Sequence, residues 1–190
     1  MDCTPRDRIL QEATSLFGRK GFAATSVREV VEAAGISKPT LYYYFDNKEG
    51  LFRECVQAQL AGLGQLVAHA LAEEGSVRER LHGFLEQYVG GGLAHPDSVR
   101  LVMLATSTTD PNQPECGVLL TFRSILEGLV PLLEEGIASG ELRAGFDPRT
   151  ALRMICGAAD IFLFSGLAGD PVPDDFAAQV LELLFRGIDP

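Results

Sequence analysis

The residues of this chain best suited by type and spacing to chemistry form one short run, Lys38-Pro39-Thr40-Leu41-Tyr42-Tyr43-Tyr44-Phe45, with Lys48 close behind. Phenols, a threonine hydroxyl and ammonium groups in this density suit binding rather than bond-making. Tyrosine hydroxyls bond phosphates, a proline or tyrosine ring meets a thymine methyl, and a threonine hydroxyl meets a base edge or a phosphate. No comparable constellation for catalysis exists in the sequence. The histidines, His69, His82 and His95, belong to no H-E-x-x-H run, and neither G-x-S-x-G nor a phosphate-cradling glycine loop occurs. An enzyme is not expected, and no cofactor or metal is implied. Cys3, Cys55, Cys116 and Cys156 are scattered without a C-x-x-C pair, which argues against a zinc knuckle or a disulfide scaffold. They read as reduced thiols, with Cys3, in an exposed terminus, the one placed to sense oxidants.

A helix must present the tyrosine run. At about 100° per residue, Leu41 and Phe45 share one face and Tyr43 lies nearly opposite. Pro39 and Thr40 sit beside Tyr43, and Tyr42 and Tyr44 flank it. An aromatic outer face of this kind is costly unless covered, either by the same chain or by a partner. The context favours a DNA major groove. Ser26-Val27-Arg28-Glu29 is a capping box opening the preceding helix, whose Val27, Val30, Val31 and Ala34 form a core stripe. Gly35 accepts the left-handed conformation of a tight turn, Ser37 caps the next helix, and Pro39 is tolerated in its first turn. This is the local pattern of a helix-turn-helix, whose second helix reads DNA. Lys38 and Lys48, each near a helix start, are placed to reach phosphates.

Net charge is −10, which opposes binding to a polyanion unless the charge is unevenly spread. Residues 1–50 carry seven basic and seven acidic side chains, including all three lysines, while the remainder carries nine basic and nineteen acidic. The acidity therefore belongs to the body. Hydrophobic residues make up 46%, enough for a packed core. No uninterrupted apolar run has the length of a bilayer span and the first residues are polar, so a cytoplasmic, non-membrane protein is expected. Helical periodicity recurs along the chain, and the spacing predicts about nine helices. The fifth is expected to close at Gly90-Gly91-Gly92, a loop to cover 107–114, and a single helix to run from about Glu115 to Ser139.

Residues 5–52, including Gly21-Phe22, Thr25 to Glu29, Ala33-Ala34-Gly35-Ile36-Ser37 and Lys38 to Glu49, resemble the N-terminal domain of the TetR family. The resemblance implies an all-α fold with a helix-turn-helix domain over 1–48 and a larger ligand-binding and dimerisation domain over 49–190. It implies a homodimer, usually a repressor, that binds a pseudo-palindromic double-stranded operator and is released by a small molecule. The implied DNA contacts are Arg28, Lys38, Pro39, Thr40, Tyr42, Tyr43, Tyr44 and Lys48. The alternative is a helical ligand-binding or scaffold protein whose helix-turn-helix no longer meets DNA.

The last two expected helices are apolar nearly all round, and such helices must be covered on every side. They are the expected subunit interface, through Ala158, Ile161, Phe162, Val180, Leu181 and Leu184. Large apolar or isolated polar residues of the body, Phe84, Tyr88, Met103, Phe122, Cys156 and Asp160, are candidate lining for an apolar or amphipathic inducer. Plain core packing is the competing reading for each. Asp160 stands out because a carboxylate within an apolar helix needs a partner.

Overall fold

A computed structural model describes residues 4–106 and 112–186. Among them the secondary structure is helical, with no strand: α1 (Pro5–Ala24), α2 (Val27–Ala34), α3 (Lys38–Tyr44), α4 (Lys48–Ala72), α5 (Val77–Ala94), α6 (Pro96–Thr106), α7 (Val118–Glu127), α8 (Val130–Ser139), α9 (Pro148–Ala168) and α10 (Phe176–Phe185). The all-α expectation holds. Cys3 and the 107–111 part of the expected loop lie outside the described residues.

Two local expectations give way. The helix expected over 115–139 is broken at Gly128 and Leu129, whose N–H groups bond back only three residues, to Ile125 and Leu126. Pro131 explains the break, since it has no N–H to offer Glu127 and its ring crowds that carbonyl. Conversely, α5 does not stop at Gly90-Gly91-Gly92 but runs on to Ala94. Those glycines are absent from the positive-φ set. Glycine lowers helix stability by about 1 kcal/mol without forbidding a helix.

The described residues group into two compact units. One takes in α1 to α3, α4 as far as Ala61, and His95–Thr121; the other takes in Gly62–Ala94 and the chain from Phe122 onward. In the first unit, Phe17, Phe22 and Phe52 form an aromatic knot with centroids 5.1–6.0 Å apart. Ile9, Ala13, Leu41, Leu51 and Cys55 are fully buried around it. Gly21 (φ 78°) kinks α1 so that Phe22 can fold into this core. The core holds α1, α2 and α3 at fixed angles, and α6 also packs along α1.

In the second unit, α5, α8, α9 and α10 surround Leu81, Leu85, Leu132, Leu133, Ala159 and Phe185, all essentially inaccessible. Arg80 is buried there. Its guanidinium donates to the Ala70 and Leu71 carbonyls (3.0 and 2.8 Å), closing the end of α4, and pairs with Glu135 of α8 at 2.8 Å. The Glu141 carboxylate accepts the Val77 and Arg78 N–H groups and so caps α5. The bonds to the Ala70 and Leu71 carbonyls and from the Val77 and Arg78 N–H groups satisfy helix-end groups that have no partner within their own helix.

Candidate nucleic-acid interface

The two short helices of the first unit are set by local chemistry. Ser26 Oγ accepts the Glu29 N–H (3.2 Å) while Glu29 Oε2 accepts the Ser26 N–H (2.8 Å), a reciprocal cap that starts α2. Glu29 also takes a 2.5 Å bond from Lys20, which ties α2 to α1. That ammonium, with the Ser26 donors, lowers the Glu29 pKa to about 2. Gly35 (φ 63°, ψ 38°) ends α2, and the Ile36 N–H returns to Val31 O at 3.1 Å. Ser37 Oγ accepts the Thr40 N–H at 3.2 Å and opens α3.

On α3, Leu41 and Phe45 enter the core while Tyr43 is 81% exposed and Tyr42 43%. Tyr44 is half-buried with its ring edge-on to Tyr43 at 4.9 Å. Pro39 and Lys38 are exposed, and the Lys38 ammonium rests 5.8 Å from the Tyr42 ring. Thr40 is half-buried, its hydroxyl 2.7 Å from that of Ser37. Arg28 is exposed on α2 and pairs with Glu32 at 2.7 Å. Lys48 sits 4.2 Å from the Phe22 ring centroid and donates to Ala23 O at 3.5 Å, so its stem helps pack the unit. The sequence-predicted residues thus lie on α2, α3 and the start of α4, with Tyr43 the most exposed of the large apolar side chains. A capped helix, a left-handed glycine turn and a second helix with an open aromatic outer face define a helix-turn-helix of the DNA-binding class.

The candidate ligand residues divide. Tyr88 Oη donates to Asp160 Oδ1 at 2.6 Å, joining α5 to α9, and the Phe84 ring stacks on Tyr88 at 5.8 Å. Burial raises the pKa of Asp160, against the lowering effect of the Tyr88 bond. Burial, followed by the nearby Asp160 charge, pushes the Cys156 thiol up to about 12. Phe84, Tyr88, Cys156 and Asp160 therefore belong to one cluster. Phe122 is half-buried on α7, and Met103 is exposed on α6, within the other unit. Cys55 is also buried and raised to about 12, so its thiol is held neutral.

The expected interface residues divide too. Ile161 is 66% exposed, while Ala158, Phe162 and Leu184 are half-buried, Phe162 lying against Phe176. Val180 and Leu181 are buried in their own subunit, because α10 turns positions 176, 177, 180, 181 and 185 inward. The apolar side chains left open on these two helices are Met154, Ile161, Phe164 and Leu183. A helical wheel of α9 groups Met154 with Ala158 and Ile161, and on α10 Leu183 falls on the half that carries the exposed Gln179, Glu182 and Arg186, away from the half that carries Val180 and Leu181. By length and composition α9 could cross a membrane. Arg149, Arg153 and Asp160 interrupt its apolar run, which is why no uninterrupted span appears in the sequence. All three are paired within the unit.

Residues 9–55 match the family model described as bacterial regulatory proteins, tetR family. Similarity to relatives extends over nearly the whole chain. The fatty acid metabolism regulator protein of Bacillus subtilis is 27% identical over 185 residues, covering 95% of this chain and 94% of that one. The transcriptional repressor KstR2 of Mycolicibacterium smegmatis is 29% identical over 186 residues, covering 96% and 90%. The solved structure of the regulator FadR from Bacillus subtilis, in complex with stearoyl-CoA, superposes with a TM-score of 0.75 at 23% identity over 95% of this chain and 98% of that one. The chain belongs to the TetR family, and it is a DNA-binding transcriptional regulator.

Proposed function

We propose that this regulator is a homodimeric repressor that holds a pseudo-palindromic operator and releases it when a long-chain acyl thioester of coenzyme A binds its body. Residues 1–48 form the DNA-reading head and 49–190 the effector and dimerisation part, working in the cytoplasm. The observation that carries the DNA part is Tyr43, 81% exposed on a helix whose opposite residue Leu41 is fully buried. Pro39, Thr40, Tyr42, Tyr43 and Tyr44 enter the major groove. Arg28, Lys38 and Lys48 meet phosphates along its edge. The acidic body repels DNA elsewhere.

Dimerisation follows from the apolar surface that one copy leaves open. Met154, Ala158, Ile161 and Phe164 on α9, with Leu183 on α10, pack against the same helices of a second copy as a four-helix bundle. Two recognition helices about 34 Å apart then reach successive major grooves. The effector class is taken from the Bacillus subtilis similarity, a regulator named for fatty acid metabolism and a FadR structure solved with stearoyl-CoA. Phe84, Tyr88, Phe122, Cys156 and Asp160 supply the effector contacts. A coupling of about 3 kcal/mol suffices to change operator affinity more than a hundredfold.

The test is a gel-shift assay with DNA from upstream of the protein's own gene, at two salt concentrations, with and without stearoyl-CoA. Specific retardation that weakens steeply with salt and is released by stearoyl-CoA supports the proposal. Absence of retardation at low salt overturns it in favour of a helical binding protein with an idle helix-turn-helix.

A further inference from the structure

Glu127, the last residue of α7, is met by three guanidinium groups. Arg123, one turn earlier on α7, places Nε 3.1 Å from Oε1. Arg149 and Arg153, from the beginning of α9, approach Oε2 at 2.8 Å and Oε1 at 3.1 Å. The carboxylate is three-quarters covered, whereas all three arginines are more than half exposed. Hydrogen bonds from Arg123 and then Arg153 hold the Glu127 carboxyl below its usual range. The other acidic group here is Asp147, which feels Arg153 but spends its Oδ2 on the Thr150 N–H (2.9 Å) and hydroxyl (2.6 Å).

Two carboxylates thus face three guanidinium groups, leaving a surplus of positive charge. Each guanidinium also carries five N–H donors, more than a shared carboxylate can accept. The surroundings make the surplus unusual. Only nine basic residues lie beyond residue 50, against nineteen acidic, yet three of the nine converge on one side chain. A point of positive potential on an acidic body focuses anions there. Arginine forks match phosphate oxygens in paired bonds, and a doubly charged phosphate competes well with a single carboxylate for them.

We propose that Arg123, Arg149 and Arg153 form a phosphate-binding site that takes the phosphate-bearing end of a coenzyme A thioester, with Glu127 holding the guanidinium groups in register until the phosphate arrives. The identity of the ligand rests on the acyl-thioester reading above. The chemistry of the site, phosphate on a fan of guanidinium groups, does not.

Calorimetry on the full chain tests this with three probes: 3′-phosphoadenosine 5′-diphosphate, stearoyl-CoA, and the phosphate-free thioester S-stearoyl-N-acetylcysteamine. Arg149→Gln/Arg153→Gln should weaken the nucleotide and stearoyl-CoA by roughly tenfold or more, the worth of a charge-assisted bond, and leave the phosphate-free thioester unchanged. Glu127→Gln should tighten the nucleotide by removing its competitor; an ion-pair cluster that merely fastens α7 to α9 would not do so. Equal nucleotide affinity in wild type and double variant, or no nucleotide binding to wild type, overturns the proposal. So does a double variant that loses operator DNA while keeping the nucleotide. If neither thioester binds wild type but the nucleotide still needs Arg149 and Arg153, the acyl reading falls and the phosphate site stands.

Discussion

Gly18 on α1 lies so close to the backbone of Asp97 on α6 that a β-carbon at position 18 would stand 2.1 Å from the Asp97 carbonyl oxygen. The Asp97 carboxylate fastens the same contact from outside, accepting a 2.6 Å bond from Ser15 and a 2.9 Å ion pair from Arg19. Position 18 therefore admits only glycine while α6 keeps its place. Gly18→Ala should cost on the order of 1–3 kcal/mol, the usual range for overpacking, and lower Tm by about 2–4 °C per kcal/mol in a chain of this size. Thermal unfolding by circular dichroism checks it. An unchanged Tm would mean that α6 can slide along α1 without penalty.

Tyr43 meets little besides the Tyr44 ring, so its removal should leave the fold intact. Tyr43→Ala is expected to keep the helical content and Tm of wild type. Operator affinity should fall by at least roughly tenfold, since a base contact is worth about 1–3 kcal/mol and a dimer would lose it twice. Fluorescence anisotropy with a labelled operator fragment reads the loss. Wild-type affinity in this variant would place the DNA-reading face elsewhere on the head.

The head was more legible in the sequence than the body, for a physical reason. Its determinants act over three or four residues: the Ser26–Glu29 cap, the left-handed Gly35, Ser37 at the start of α3, and Leu41 with Phe45 one turn apart. The body depends on partners distant in sequence. Nothing near Glu127 announces that Arg149 and Arg153, 22 and 26 residues on and beyond the whole of α8, will reach it, nor near Tyr88 that Asp160 will accept its hydroxyl. The apolar pattern carries straight through Gly128 to Pro131, so the break between α7 and α8 left only the proline as a signal. On α10 the signal was present but sparse: Gln179, Glu182 and Arg186 mark the outward side that carries Leu183, while Val180 and Leu181 turn inward.

That reversal on α10 gives a sharp test of the dimer. Leu183 is 75% exposed in one copy, so Leu183→Glu, alone or with Ile161→Glu, should dissociate the dimer without unfolding the subunit. Light scattering coupled to size exclusion should show the mass of one chain at micromolar concentration, with far-UV dichroism unchanged. Val180→Glu should instead unfold the subunit, because it buries an unpaired carboxylate. A dimer that survives the double substitution would move the interface off α9 and α10.

Glu29 supplies a pH signature for the head. Its carboxyl titrates near 4.5 when unperturbed and about 2 in the fold, lowered chiefly by the bond from Lys20 and then by the Ser26 donors. The folded value lies below the unfolded one, so the unfolded state takes up protons first on acidification. The stabilisation is therefore complete above about pH 4.5 and is withdrawn as pH falls through the interval toward 2. Glu29→Gln, which cannot titrate, should flatten that part of the stability–pH curve and reduce stability at neutral pH, where the wild-type carboxylate both caps α2 and holds Lys20. Urea unfolding at a series of pH values, with Lys20→Met as a second variant, separates the two roles. Lys20→Met should retain the cap but narrow the pH interval, because the largest of the lowering contacts is gone. Curves for wild type and Glu29→Gln that run parallel between about pH 2 and 5 would show that neither the Lys20 tie nor the Ser26 cap is made in solution.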